Sequence, residues 1–162
     1  MGFTRVIELL IKARKPIIGH NMAFDSTFIF DSYIDRLPAT YVDFAKKWKQ
    51  NFPEIYDTKV IAVNTPCGQI PKTELNHLFN MCKSTKRFSN NLEFEYDDEA
   101  DSKFSAYLQG GQKHDAGYDA YMTGIVFAYH AKFIEIGNLV QPMATKKAGA
   151  MDHAFIVGGS SQ

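Results

Sequence analysis

This sequence has no surplus of charge of either sign. Its 18 Lys and Arg balance 18 Asp and Glu over 162 residues, so no global field draws it towards a polyanion. That excludes a protein that coats duplex nucleic acid through many phosphate contacts. It does not exclude an enzyme that grips a few nucleotides through metals and local contacts. Cysteine is scarce as well. Cys67 and Cys82 have fourteen residues between them and no metal-ligand spacing around them, which reads as reduced thiols of an intracellular protein. No apolar run nears the eighteen or so residues of a membrane span, so no membrane partner is expected. The start, Met1-Gly2-Phe3-Thr4-Arg5-Val6, lacks an apolar leader, and Val6 stands where a myristoylation signal needs Ser or Thr. Internal repeats are missing, and nothing chooses between nucleus and cytoplasm.

What is present is apolar and aromatic. Hydrophobic residues make up 45% of the chain and 13 are Phe, enough for one packed core. Residues 4–14 have a helical period, with Thr4 as N-cap, Ile7, Leu10 and Ile11 as a stripe, and Pro16 beyond the end. Pro16-Ile17-Ile18-Gly19 has the form of a short buried strand. A second helix is predicted over 22–34, capped by Asn21, with Phe24, Phe28 and Tyr33 facing the core. After Pro38, residues 40–51 read as a helix with Phe44 and Trp48 one turn apart.

Residues 54–58 then read as a strand and 59–63 as a helical turn, with helices over 73–83 and 116–136. Tyr118, Tyr121, Ile125, Ala128 and Phe133 are the packing positions of the last one. Between these helices, 84–103 loses its pattern, and six of the nine residues 93–101 are acidic, as in a solvated loop. Ala154–Val157 has a strand pattern. Helices alternating with strands predict an α/β domain, a small sheet covered by helices. Two or three strands are fewer than the five or six of a usual sheet, so part of the sheet is expected to be absent or supplied by another segment.

Three segments carry chemistry: Gly19-His20-Asn21-Met22-Ala23-Phe24-Asp25, Tyr56-Asp57-Thr58-Lys59 and His114-Asp115-Ala116-Gly117-Tyr118-Asp119. Asp25 falls in the first turn of a helix just after a strand, where α/β proteins bind ligands. It reads equally as an acid stabilised by the helix dipole. Asp119 lies among small and apolar residues, so its carboxylate either points to solvent or meets a cation. With Asp115 as the helix-start acid, a metal role for Asp119 stays open beside the solvent-facing one. His114 is either a plain loop histidine or, with its near-neutral pKa, a base that takes a proton from water. Together, two carboxylates and an imidazole suit two-metal hydrolysis of a phosphodiester.

These segments resemble those of the DEDDh exonucleases, and among them the poly(A)-specific ribonucleases of the CAF1 superfamily. Gly19-His20-Asn21…Asp25 matches a segment that supplies one metal carboxylate, here Asp25. His114-Asp115-Ala116-Gly117-Tyr118-Asp119-Ala120-Tyr121-Met122-Thr123-Gly124 matches one that supplies the general base, here His114, and another carboxylate, here Asp119. Asp57-Thr58-Lys59 is similar to the family's Asp-Thr-Lys, which makes Lys59 and Asn21 candidates for contacting RNA. The resemblance covers about residues 2–137. It implies a ribonuclease H-like exonuclease fold, two Mg²⁺ ions, and 3′→5′ removal of poly(A) tails as 5′-AMP. RNA with a 3′ poly(A) tail would be the partner, with a second copy of the protein as a further one.

The family's first motif, an Asp-x-Glu on an apolar strand, supplies two more acidic ligands. The one such spacing here, Asp97-Asp98-Glu99, lies in the acidic stretch with neither a strand pattern nor the right chain order. The expectation is therefore a partial fold: residues 1–140 as the C-terminal part of a nuclease domain, incomplete and inactive alone, and 141–162 as a tail of unknown role. Two other readings are a non-catalytic module that keeps the nuclease-like body to bind or dimerise, and a DNA proofreading-type exonuclease.

Overall fold

A computed structural model describes residues 2–64, 72–84, 92, 94 and 115–140 of the chain. The described residues divide into two compact units, with the boundary between Val60 and Ile61. They are mixed α and β, as expected. His114, Cys67, the tail strand at 154–157 and nearly all of the acidic stretch lie outside them.

The first unit is built on two short parallel strands. Strand β1 (Ile17–Gly19) pairs with β2 (Ile55–Asp57) in the register Ile17 to Ile55, Ile18 to Tyr56 and Gly19 to Asp57. Parallel neighbours need a crossover, which helices α2 (Ala23–Tyr33) and α3 (Tyr41–Asn51) provide. Ile17 and Ile55 share one face and pack on a core of Ile7, Phe30, Phe44, Trp48 and Phe52. Ile18 and Tyr56, paired on the other face, are exposed. The core is an aromatic chain: Phe30 meets Phe44 edge-on at 5.5 Å, Phe44 stacks on Trp48 at 6.0 Å, and Trp48 meets Phe52 at 4.6 Å. Thr40 starts α3 by accepting the Asp43 N–H at 3.1 Å.

Helix α1 (Thr4–Ala13) corrects one expected cap. Thr4 is already helical, and Phe3 precedes it with no side-chain cap bond. Phe3 instead packs on the Tyr33 ring at 5.4 Å, so an aromatic contact anchors the start. The helix ends on Arg14, which takes a left-handed φ of 51° and donates from Nη1 to the Gln50 carbonyl at 2.9 Å.

Helix α2 brings two corrections. Its N-cap is Met22, and Asn21 lies one residue outside with a left-handed φ of 57°. Phe24 and Phe28 are 85% and 66% exposed, whereas Met22, Ser26 and Phe30 are buried. The buried row therefore runs 22, 26, 30, and the Ser26 hydroxyl is satisfied by donating to the Met22 carbonyl at 2.7 Å. Tyr33 packs against the core at its edge, as expected.

Beyond β2, helix α4 (Thr58–Asn64) spans the boundary between the units. The second unit packs α5 (Leu75–Ser84) along α6 (Ala116–Val140), which runs to Val140 rather than ending near 136. Its core is Ala62, Leu78, Phe79, Cys82, Tyr118, Met122, Ile125, Val126 and Tyr129, with Tyr121 and Phe133 packed against it. Ala128 is only half-buried. Cys82 is fully buried inside this core. His130 is fully buried on α6 and donates from Nδ1 to the Val126 carbonyl at 2.8 Å, while its Nε2 has no partner among the described residues. Burial pushes its pKa below the ordinary 6.5, against a smaller opposing effect of the Val126 bond. No described helix is long and apolar enough to cross a membrane.

Candidate active site

The carboxyl ends of parallel strands are where open α/β sheets bind ligands. Here β1 and β2 end side by side on Gly19 and Asp57. Gly19 has no room for a side chain: a Cβ would stand 2.6 Å from Met22 Sδ and 3.1 Å from Met22 Cβ. The chain then turns through the left-handed Asn21, a conformation Asn tolerates better than most residues. This turn aims two successive N–H groups at one side chain. Asp57 Oδ1 accepts from Asn21 at 2.9 Å and Oδ2 accepts from Met22 at 3.0 Å. Oδ1 also accepts the Lys59 N–H at 2.9 Å and that of Val60 at 3.4 Å, which caps α4.

Thr58 ties the same two strand ends together. Its buried hydroxyl lies 3.1 Å from the Gly19 carbonyl and 2.9 Å from His20 Nδ1. A carbonyl can only accept, so the hydroxyl proton points to Gly19 and His20 Nδ1–H donates to Thr58. Above this seam Lys59 Nζ donates to Asn21 Oδ1 at 3.3 Å. The two residues expected to contact RNA are thereby brought together from different strand ends. Among the described residues the Lys59 ammonium pairs with no carboxylate.

The two expected metal carboxylates sit in different units. Asp25 is exposed in the first turn of α2, and Asp119 is half-buried in the first turn of α6. Neither carboxylate has a hydrogen bond or ion pair among the described residues. At the start of α6 the capping role belongs to Asp115, whose Oδ1 accepts the Tyr118 N–H at 2.9 Å. Asp119 bonds through its backbone alone, donating to Asp115 O at 2.9 Å and accepting from the Thr123 hydroxyl at 2.8 Å. Oxygen donors without other partners suit a hard divalent cation. Yet no group of three His, Cys, Asp or Glu among the described residues could hold a metal ion, so Asp25 and Asp119 fit as part of a ligand set and do not complete one.

Sequence reasoning assigned no role to Asp57 or to the His20–Thr58 bond. An aspartate ending a strand just before a helix is a capping signal. Its second set of donors comes from 35 and 36 residues away and leaves no local trace.

The family description "CAF1 family ribonuclease" matches residues 1–127. Poly(A)-specific ribonuclease PARN of Arabidopsis thaliana is 34% identical over 143 residues, covering 79% of this chain and 20% of that protein. The Homo sapiens protein of the same name is 32% identical over 144 residues, covering 88% of this chain and 21% of its own length. A Pre-piRNA 3′-exonuclease trimmer of Bombyx mori is 32% identical over 140 residues, 78% of this chain and 24% of that protein. The chain thus spans about a fifth of the length of the curated relatives it matches.

Proposed function

The chain belongs to the CAF1 ribonuclease family, of ribonuclease H-like fold, and on that premise we propose that it carries half of the catalytic set of a 3′→5′ exoribonuclease that shortens poly(A) tails. The observation that carries this is at the start of α6. Asp115 does the capping, and the half-buried Asp119 carboxylate has no partner among the described residues. Its oxygens are the donor type that a hard divalent cation takes. Poly(A) as substrate is supported by the names of the Arabidopsis thaliana and Homo sapiens relatives, and attack from the 3′ end by that of the Bombyx mori relative.

Nucleases of this family depend on divalent metal ions. Asp25 and Asp119 would hold Mg²⁺ together with acidic ligands from elsewhere. The chemistry such ions supply when bound is activation of a water and neutralisation of charge on the phosphate. His114, two residues before α6 in the sequence, would take the proton of the attacking water as its oxygen reaches phosphorus. The P–O3′ bond breaks, the 3′ oxygen takes up a proton, and the terminal nucleotide leaves as 5′-AMP. Asn21 and Lys59 hold the strand, the amide by hydrogen bonding and the ammonium by its charge on a phosphate.

The test follows the full-length protein on a 5′-labelled oligoadenylate. Stepwise shortening by single nucleotides, abolished by chelation and by His114→Ala, is the expected outcome. Turnover retained in His114→Ala would sink the mechanism. Faster attack on DNA than on adenosine-rich RNA of equal length would move the protein to the proofreading class.

A further inference from the structure

We infer that Asp57 is a positioning residue: its carboxylate sets the distance between Asn21 and Lys59 at which the pair takes the RNA strand. The inference rests on the reading of Asn21 and Lys59 as strand contacts. Three short bonds from two separate turns meet on this one side chain, from the N–H groups of Asn21, Met22 and Lys59. Successive N–H groups flanking a left-handed residue form a concavity that demands an anion, and Asp57 fills the one made at Asn21. The backbones of Asn21 and Lys59 thus hang from the same oxygen, Oδ1, each at 2.9 Å. Their side chains then meet at 3.3 Å. Three N–H groups engage both oxygens, so Asp57 differs in kind from Asp25, whose carboxylate has no partner among the described residues. It acts on the strand through its neighbours.

Replacement by Asn conserves size and breaks the clamp. One oxygen survives, but the new amide NH₂ faces either the Met22 N–H or the Asn21 and Lys59 pair, donor against donor. The experiment is a double-mutant cycle on the full chain, reading the anisotropy of a fluorescent oligoadenylate in EDTA so that metal-mediated binding is silent. Lys59→Ala removes the charge. Asn21→Gly removes the amide and keeps the left-handed turn that Ala would strain. Asp57→Asn is expected to weaken binding by about tenfold, and by less than about twofold in the Lys59→Ala or Asn21→Gly background.

The same loss in all backgrounds would make Asp57 a merely structural residue and overturn the inference. Unchanged binding in Asp57→Asn, with Lys59→Ala and Asn21→Gly both weakened, would overturn it too and leave the proposed function standing. If neither of those two variants weakens binding, or the unaltered chain binds no RNA, the strand-contact reading falls and the inference with it. Should Asp57→Asn fail to fold, Gly19→Ala replaces it in the cycle. A Cβ there displaces Met22 and moves the same N–H pair without touching Asp57. Its coupling to Lys59 is expected to match, and additivity would again overturn the inference.

Discussion

The strand-end turn of the first unit and the start of α6 in the second both present aspartates at the head of a helix, and use them in opposite ways. At the strand ends Asp57 takes three short N–H bonds from two segments of chain. At the start of α6 the work is divided: Asp115 accepts from Tyr118, and the half-buried Asp119, one turn on, has no carboxylate partner among the described residues. Position at the head of a helix therefore does not show whether the fold uses a carboxylate. Accounting for where each backbone N–H goes does show it.

The cores differ in the same direction. The first unit rests on the aromatic chain through Trp48, whose Nε1 has no hydrogen-bond partner among the described residues. The second encloses His130, bonded among the described residues through Nδ1 alone.

Substitutions that break this contrast rank by size. Trp48→Ala removes the centre of the aromatic chain and should cost about 3–5 kcal/mol, a large part of a typical domain's stability. Melts followed by circular dichroism should show an early transition. Trp48→Phe, which keeps one six-membered ring and loses the pyrrole part of the indole, should cost less, about 1–3 kcal/mol. Asp57→Asn comes next, at about 1–3 kcal/mol for N–H groups left facing a donor. Trp48 is the sole tryptophan, so its fluorescence reports this loss in the first unit.

His130 sharpens the other side. Its pKa is lowered in the fold by burial, against an ordinary 6.5. The unfolded chain then binds the proton first as pH falls. The stability due to the neutral imidazole is complete above pH 6.5 and declines below it, until the folded pKa is reached. The slope is at most about 1.4 kcal/mol per pH unit. His130→Leu should flatten that part of the profile, and equal slopes in variant and parent would contradict the assignment. Smallest of all, Asp25→Asn and Asp119→Asn should change stability by no more than about 0.5 kcal/mol, since neither carboxylate makes a bond among the described residues.

Local chemistry made much of the first unit legible. Two β-branched isoleucines between Pro16 and Gly19 marked β1, and Phe44 and Trp48 at i, i+4 marked the buried side of α3. Helix α2 misled because it is apolar on both sides: Phe24, Phe28 and Phe30 are equally hydrophobic, and only packing chooses Phe30. Asn21 read as an N-cap because the same short amide suits a cap and a left-handed turn. The pairing of Asn21 with Lys59 came through the family resemblance and coincides with their meeting at the strand ends. The clamp on Asp57 is tertiary and could not be read from local spacing.

The decisive measurement is turnover and melting of Asp119→Asn side by side in the full-length protein. A free metal carboxylate predicts a loss of hydrolysis of at least about a hundredfold with the melting curve unmoved. A variant that melts early, or that still trims oligoadenylate at the parent rate, would show that Asp119 is an ordinary helix residue.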